Sequence, residues 1–516
     1  MKTREEFQQL MALGVSPKLP TDALFLSLAK LIDASGDLNE ISGIERAFRW
    51  LKNLKNEKLS PLQNFEFYYF KGNAWNARRK IEELNVKKGD WNSINYFIEQ
   101  EIINLRTAIR CAPDNTDALC IFRLCQTYTN IGSLLDSMGR FVEAIWYYDQ
   151  ALKKKSDFTM ALGNKALALR FYGQHHYDPG HRNLFSFFIL DLLTQAFKNP
   201  KYFEGNAENF FKSFLKDVKN YLGEARLSDF ADMENHSLGI DELEIKHREW
   251  CLKERLFLNP LNDLGPYPIA ARDVLLTPSM RAGIKESPYL QGFFSWMKQE
   301  YVSARFLLFE GIKERQTHFS DKETFLVDTL DYPAYGYRTE LLKSAFRAFY
   351  SILDKIAFFI NDYFKLEINE RTINYRNIWE NEKLQTMLST EKNFPLQGLY
   401  WLSKDIFNPK DYRDVLEPEA KHWSLFRNAM EHRYLKIINS PLSDSYFSND
   451  EFKDPLAYTL NKEHFIKSIT SLARLIRAAL IYLSFSINSE EKKNSETEEG
   501  FIPEMPLFIY RDQDKI

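Results

Sequence analysis

The chain has 516 residues, of which 44% are hydrophobic and 27% are charged. This length is sufficient for about two to four domains with apolar cores. The formal net charge of −3 excludes a basic surface over the whole chain, so any contact with RNA requires a local basic patch. The four cysteines are too few and too scattered for a disulfide framework, and we expect a reducing, cytoplasmic compartment.

Two segments bear on secretion and membrane insertion. The first residues, MKTREEFQQLMALG, lack the apolar core of a signal peptide. The apolar stretch from Phe465 to Ile487 is interrupted by Lys467, Arg474 and Arg477, which makes it too charged for a bilayer span. We therefore expect neither secretion nor a membrane partner.

The first half of the chain predicts stacked helices. Glycine and proline are sparse over long tracts and apolar residues recur at spacings of three and four, which predicts an all-α fold. Residues 131–152 resemble a tetratricopeptide (TPR) unit, whose small and large packing positions are taken by Ile131, Gly132, Leu135, Gly139, Phe141, Ala144, Ile145, Tyr148, Ala151 and Leu152. One TPR period of about 34 residues further on, Leu162 and Ala166 take the corresponding positions.

This pattern divides the first half into two parts. We predict helical hairpins over residues 1–90 and TPR-like repeats over residues 91–199. TPR arrays usually bind a protein or peptide on their concave face, while the alternative is an internal packing scaffold. A helical connector is predicted over residues 200–320.

Four polar residues lie close together at the end of the predicted repeats. His175, His176, Asp178 and His181 are of the types that bind metals. Their spacing matches no common ligand pattern, and Asp178-Pro179-Gly180 is a strong turn signal. We therefore favour a polar turn between two helices over a metal site, and predict neither metal nor cofactor.

The C-terminal part predicts a helical bundle over residues 321–488. Four segments have apolar stripes and loop lengths typical of an antiparallel four-helix bundle, namely ELLKSAFRAFYSILDKIAFFINDYF, NFPLQGLYWLSKDIF, EPEAKHWSLFRNAMEHRYLKII and EHFIKSITSLARLIRAALIYLSFSI. Residues 489–516 are predicted to be an acidic linker followed by an apolar tail, FIPEMPLFIY. The tail is expected to dock onto the repeats or the bundle.

The third bundle segment carries the candidate site. Projected as one helix from His422 to Ile438, its core face comprises Trp423, Phe426, Met430, Tyr434 and Ile437 within about 80°. His432 lies nearly opposite, with Asn428 beside it one turn earlier and with Leu425 and Leu435 on the same outer side. Arg427 lies about 140° from His432, so the two residues converge only if two copies of the helix meet about a two-fold axis.

These residue types suit RNA cleavage. An imidazole titrates near neutrality and can take the proton of a 2′-hydroxyl, an arginine can hold the phosphate, and Asn428 can orient either group. Lys421, Arg433 and Lys436 add phosphate-binding cations and give residues 421–436 a net charge of about +3. The alternative is that Arg427 pairs with Glu431 and that His432 only faces solvent. The same R-x-x-x-x-H spacing at Arg170 and His175 shows that spacing alone is weak evidence.

FRNAMEHRYL within such a bundle resembles the HEPN (higher eukaryotes and prokaryotes nucleotide-binding) superfamily, whose ribonucleases carry an R-polar-x-x-x-H motif. WCLKERLFLNPLNDLGP and LYWLSKDIF are similar to a bacterial group that joins TPR-like repeats to this domain. The resemblance implies catalysis by Arg427, Asn428 and His432 at a HEPN homodimer without a metal, with 2′,3′-cyclic phosphate ends. It also implies that Tyr434, in R-x-x-x-x-H-x-Y, is a candidate for nucleotidyl modification, although the projection places it at the edge of the core.

Two functions remain open from the sequence. The first is a cytoplasmic endoribonuclease, a toxin or an anti-phage effector, that cuts tRNA or mRNA and is regulated through its repeats. The second is a TPR adaptor whose HEPN domain dimerises, or binds RNA or a nucleotide, without cleavage. Arg427, Asn428 and His432 together favour the enzyme.

Overall fold

A computed structural model describes most of the chain. The described residues are 2–15, 17–54, 58–85, 91–114, 117–281, 287–313, 317–329, 331–390, 393–407, 420–439, 454–497 and 506–515. Helices account for most of them, and the predicted all-α class is confirmed.

The first half consists of helices joined by short loops. In chain order these are α1 (Lys2–Ala12), α2 (Thr21–Leu38), α3 (Ile41–Leu54), α4 (Pro61–Asn85), α5 (Trp91–Cys111), α6 (Ala118–Ser137), α7 (Phe141–Lys154), α8 (Thr159–His175) and α9 (Pro179–Ala196). The most extensive packing here joins consecutive helices, α4 with α5, α6 with α7 and α8 with α9. This arrangement of stacked hairpins is the one that the repeat pattern predicts.

The hairpin of α6 and α7 depends on two glycines. A Cβ at Gly132 would lie only 2.7 Å from the ring of Tyr148, so the glycine permits the close helix contact. Gly139 has a φ of +77° in the turn between the helices, a conformation that glycine adopts readily. Both positions have the packing role that the sequence predicts.

The second half continues with helices and one small sheet. Its elements are α10 (Ala207–Leu222), α11 (Leu227–Phe230), α12 (Glu242–Glu254), α13 (Tyr289–Ile312), α14 (Tyr337–Tyr363), α15 (Glu382–Thr390), α16 (Phe394–Ile406), α17 (Ala420–His432), β1 (Tyr434–Ile438), β2 (Ala457–Asn461) and α18 (Lys462–Thr497). The bundle forms where α14, α16 and α17 pack against α18, and α13 packs along α14.

The predicted single helix from His422 to Ile438 is wrong. The helix ends at His432, and Tyr434–Ile438 forms a strand that pairs in parallel with β2. Residues 332–334 lie along its other edge, where Ala334 N donates to Ile437 O at 2.7 Å. A short apolar run such as YLKII fits either period, and its branched and aromatic residues favour a strand once a partner strand is present.

The predictions for the C-terminal end are wrong in two respects. Helix α18 extends to Thr497, so the first part of the predicted acidic linker is helical. In the tail, Leu507, Phe508, Ile509 and Tyr510 have exposed side chains, which contradicts docking of these residues onto the repeats or the bundle.

Helix α18 is the central element of the molecule. It is long and apolar enough to cross a membrane, but 83% of its most apolar window is buried inside the protein, as in a core helix. One hydrophobic cluster extends from Leu10 to Ile487, so the two halves share a continuous core. The predicted connector joins them, because Asp263 accepts from Tyr172 of α8 at 2.8 Å and from Arg477 of α18 at 2.8 Å.

Candidate ribonuclease site

The histidine cluster forms a polar turn. Helix α8 ends at His175, α9 begins at Pro179, and Asp178 caps α9 by accepting from Gly180 N at 2.7 Å. His176 Nε2 lies 2.9 Å from His181 Nδ1, and burial lowers the pKa of His176 to about 2. The favoured interpretation of a turn between two helices is confirmed, and the described part of the chain contains no group of three or more residues that could hold a metal ion.

Helix α17 presents the candidate residues on its solvent side. Trp423 and Phe426 are buried in the bundle, whereas Asn428 and His432 are exposed. Arg427 is exposed at the margin of the buried stripe. The outward position of Asn428 and His432 follows from the helical period and agrees with the projection.

Arg427 lies over an aromatic ring. Its Cζ is 5.5 Å from the centroid of Tyr350, a buried residue of α14. Within the described residues no carboxylate lies in ion-pair distance of its guanidinium. A cation held over a ring keeps its donors available, so this contact positions Arg427 without neutralising it.

The alternative pairing of Arg427 with Glu431 is not found. Glu431 Oε1 instead lies 3.2 Å from Arg347 Nε, and Arg347 Nη2 donates to Met430 O at 2.9 Å. Met430 is in the last turn of α17, where carbonyl groups lack helical donors. Arg347 therefore caps the C-terminal end of α17, the helix that carries His432. It also pairs with Glu431, the carboxylate that would otherwise be the nearest candidate to pair with Arg427.

Arg347 and Tyr350 lie on one face of α14 at a spacing of three residues. They contact the two ends of the candidate motif, yet they precede it by about 80 residues in the chain. Sequence reasoning did not find them because no local pattern links α14 to α17. Their i, i+3 spacing on a bundle helix is the only signal, and it is a weak one.

Asn428 and His432 are neighbours one turn apart on α17. The helix stops directly after them, with Arg433 N donating to Ala429 O at 2.9 Å. Arg427 and His432 are separated by about 140° and by a rise of about 7.5 Å. Within one helix, then, Asn428 and His432 lie on neighbouring turns, whereas Arg427 points about 140° away from His432.

The three predicted phosphate-binding cations differ in their surroundings. Arg433 is exposed directly after His432, while the side chain of Lys421 lies outside the described residues. Lys436 is buried in β1, where its Nζ is 2.8 Å from Asp331 and 3.4 Å from Asp454. Burial opposes its charge, but Asp331 raises the pKa of Lys436, so it remains a cation within an ion pair. Its expected role as a free phosphate contact does not fit this environment.

Tyr434 and Leu435 lie on the opposite sides from those predicted. Tyr434 is 42% exposed rather than at the core edge, and its hydroxyl donates to Asp454. Leu435 is 2% exposed and packs into the core, whereas Leu425 is 40% exposed as predicted. The change from helix to strand at Arg433 reverses the two side chains, since successive strand residues point to opposite faces.

This arrangement of an exposed Arg, Asn and His on a bundle helix can be compared with known proteins. Residues 282–490 match the model of the LA2681-like HEPN family. The C-terminal part is therefore a HEPN domain. No curated protein and no solved structure matches the chain.

The HEPN domain includes every candidate residue from Lys421 to Lys436. Its match starts at residue 282, earlier than the predicted start at 321, and it includes α13. The HEPN superfamily generally includes ribonucleases, which agrees with a nuclease or RNA-related role. The matched region contains none of the N-terminal hairpins, so their assignment to the TPR family stays a prediction.

Proposed function

We propose that this protein is a metal-independent HEPN endoribonuclease. One observation carries the proposal: Arg427, Asn428 and His432 are all exposed on α17, while the nearest acidic side chain of the motif, Glu431, is paired with Arg347. None of the three side chains is needed to fill the core of the bundle, although Arg427 contacts the ring of Tyr350. They are the groups that in-line attack on a phosphodiester needs.

The proposed reaction is an internal transfer at phosphorus. The 2′-oxygen attacks the adjacent phosphorus while one imidazole takes its proton. The bond from phosphorus to the 5′-oxygen breaks, and a second imidazole donates a proton to that oxygen. The products are a 2′,3′-cyclic phosphate and a 5′-hydroxyl. Arg427 binds the phosphate oxygens and stabilises their added charge, and Asn428 orients His432 or an oxygen.

Two copies of the HEPN domain complete the site in this proposal. Arg427 and His432 do not converge on one helix, and one chain supplies a single His432 for two proton transfers. A two-fold axis near α17 would place Arg427 of one copy near His432 of the other and would bring two imidazoles together. The exposed Leu425 is available for such a contact.

Within this proposal the protein acts in the cytoplasm as a toxin or an anti-phage effector against tRNA or mRNA. The TPR-like repeats bind a protein or peptide and regulate cleavage through the core that they share with the HEPN domain. The adaptor alternative keeps the same contacts but requires no chemistry from His432.

Expression in cells separates the two functions. Wild type, His432→Ala and the matched control His236→Ala, which changes a histidine outside the HEPN domain, are induced to equal levels. The nuclease proposal expects growth arrest and new RNA 5′-hydroxyl ends with wild type and with His236→Ala only. Equal growth and intact RNA with all three, under conditions that engage the repeats, would favour the adaptor.

A further inference from the structure

Two cations come together where the N-terminal hairpins meet α18. Asn488 Nδ2 of α18 donates at 2.9 Å to the carbonyl of His175, the last residue of α8. Lys492 lies one helical turn after Asn488 and so projects from the same face of α18. Arg182 is in the first turn of α9, which begins a few residues after His175. Both cations reach solvent, and partial burial and then the charge of Arg182 lower the pKa of Lys492.

Neither cation has a carboxylate partner among the described residues. Three neighbouring carboxylates have other partners, namely Glu490 with Lys493 at 3.6 Å, Glu491 with the hydroxyl of Tyr363 at 2.8 Å, and Asp178 with Gly180 N at 2.7 Å. Glu496, one turn after Lys492, forms no ion pair with it. The charges that act on Lys492 and on the nearby His176 are all positive. Positive charge therefore remains uncompensated at this place, and an anion would relieve the repulsion.

A neutral histidine adds a hydrogen-bond donor beside the cations. Asp178 N donates to His176 Nδ1 at 2.9 Å, so the proton of this neutral ring is on Nε2. His176 Nε2 lies 2.9 Å from His181 Nδ1, which therefore accepts, and the proton of His181 is on its own Nε2. Burial lowers the pKa of His181 more than Asp178 raises it, which keeps the ring neutral. Within the part of the chain that the structure describes, His181 Nε2 has no acceptor.

These three groups suit a phosphate better than a carboxylate. The donors of a guanidinium match two phosphate oxygens, and an ammonium group adds a second charge. A phosphate monoester carries about −1.5 to −2 charges at neutral pH and has three oxygens that accept hydrogen bonds. A carboxylate has one charge and two oxygens, so it can compensate only one of the two cations.

We propose that Arg182 and Lys492, with His181 as an additional donor, bind the phosphate group of a small ligand where α9 meets α18. Both cations lie outside the matched HEPN region, residues 282–490, and the site takes no part in the proposed cleavage. Because α9 belongs to the hairpins and α18 is the central helix of the bundle, the bound phosphate would link the two halves and stabilise the folded protein. Inorganic phosphate, pyrophosphate and a nucleoside triphosphate share this chemistry.

Calorimetric titration of the full-length protein tests the site. The probes are inorganic phosphate, pyrophosphate and ATP at a constant ionic strength of about 0.15 M, with sodium acetate as the anion control. Arg182→Gln and Lys492→Gln each remove one of the two cations. The matched control Lys493→Gln removes a cation of the same turn of α18 that is already paired with Glu490. Binding of tRNA by the same proteins is measured in parallel, and the melting temperature without ligand reports on folding.

The proposal predicts that wild type binds at least one phosphate probe saturably and does not bind acetate. Arg182→Gln and Lys492→Gln should each weaken this binding about 10-fold, the low end of the range for a hydrogen bond to a charged group, because both cations are exposed. Lys493→Gln should bind like wild type. The probe that binds most tightly identifies the source of the phosphate group.

Two results would overturn the site. One is a wild type that binds none of the three probes saturably, and the other is equal phosphate binding by wild type and both variants that lack a cation. If those variants weakened only the binding of tRNA, the two cations would contact RNA and not a small ligand. None of these results bears on cleavage at His432, so the site and the nuclease are tested separately.

Discussion

Trp423 and His432 belong to the same thirteen-residue helix but have opposite surroundings. Trp423 is 1% exposed, whereas His432 reaches solvent at the end of the helix. A residue's place on α17 therefore decides whether it contributes to stability or is available for chemistry. Arg427 occupies the margin between the two, exposed but held over the ring of Tyr350.

Substitution of these two residues should have opposite effects. Trp423→Ala should lower the free energy of unfolding by about 3 to 5 kcal/mol, because it leaves a cavity in the bundle. His432→Ala should leave the unfolding curve unchanged and remove RNA cleavage. Urea denaturation of both variants checks the prediction. A large loss of stability in His432→Ala would show that the imidazole makes stabilising contacts in the folded protein.

Asp136 provides a pH-dependent prediction. Its Oδ1 is buried without a hydrogen-bond partner, and burial raises the pKa of Asp136 to about 7. Between about pH 4 and 7 the folded state therefore holds a proton that the unfolded state has lost, so this group makes the protein less stable as pH rises. Asp136→Asn should stabilise the protein at pH 8 and have little effect at pH 4.5.

Urea denaturation at the two pH values measures this difference. Asp217→Asn, which changes an exposed aspartate of α10, is the matched control and should change stability equally at both. An Asp136→Asn protein with the same stability gain at both pH values would contradict the raised pKa.

How far the sequence predicts the site depends on the residue. Arg427, Asn428 and His432 were identifiable because they form the R-polar-x-x-x-H motif that resembles HEPN ribonucleases. The burial of Lys436 was not, because Asp331 and Asp454 come from separate loops. Charge counting treats every lysine of a patch as free, and only tertiary structure shows which of them is already paired.

The elements around the site differ in how strongly sequence specifies them. Helix α14 has a long apolar stripe and was predicted as a helix, whereas YLKII is short enough to be either a helix end or a strand. The parallel partner, Ala457–Asn461, decides in favour of a strand. The strand then turns Tyr434 to solvent.

The turn between α6 and α7 provides a prediction at this scale. A Cβ at Gly139 would lie 1.9 Å from Phe394 O of α16, and the φ of +77° already disfavours any other residue. Gly139→Ala should therefore lower the melting temperature far more than Gly223→Ala. Gly223 also has a positive φ, +57°, but an added Cβ there meets nothing within 4 Å.

Thermal unfolding of the two glycine variants separates the cost of the backbone conformation from the cost of a steric clash between an added Cβ and α16. Gly223→Ala should cost about 1 to 3 kcal/mol, the range for a residue held in a sparsely populated backbone conformation, since Gly223 has φ of 57° and ψ of −127°. Equal destabilisation by the two substitutions would mean that an added Cβ at Gly139 does not clash with α16.

At the scale of the whole molecule, the hairpins and the HEPN domain are joined through buried charges. Asp405 of α16 is bound by Arg106 Nη1 at 2.6 Å and by Arg140 Nη1 at 2.5 Å, and all three side chains are buried. Burial opposes ionisation of the carboxyl group, but the two guanidiniums keep the pKa of Asp405 below its ordinary value. Tyr482 of α18 adds a bond to Glu143 of α7.

Removing the shared carboxylate should uncouple the two halves. Asp405→Ala leaves two buried guanidiniums without this partner and should destabilise the protein by about 3 to 5 kcal/mol. Lys404→Ala breaks the neighbouring pair with Glu99, whose side chains are 23% and 25% exposed, and should cost less, about 1 kcal/mol. Urea unfolding and limited proteolysis of both variants would test this. Equal stability of the two variants would show that the buried network around Asp405 does not hold the hairpins and the HEPN domain together.

The sequence predicted the order of the two halves along the chain, but not the buried ion pairs and the shared core that join them. Hydrophobic periodicity identifies each helix from its own residues, so the all-α class followed directly. Asp405 lies 299 residues after Arg106 and is also remote in sequence from Arg140, so no local pattern pairs it with either arginine. A connector between the halves was predicted from the sequence, but the continuous core and the direct ion pairs of Arg106 and Arg140 with α16 were not.

The measurement that tests the central claim most directly is the analysis of RNA ends after cleavage in EDTA. Purified wild type, His432→Ala and His236→Ala would each be incubated with end-labelled tRNA and with total RNA. The proposed chemistry predicts 2′,3′-cyclic phosphate and 5′-hydroxyl ends from wild type and His236→Ala, and intact RNA with His432→Ala. Cleavage by His432→Ala at the wild-type rate, or wild-type products with 3′-hydroxyl ends, would contradict it.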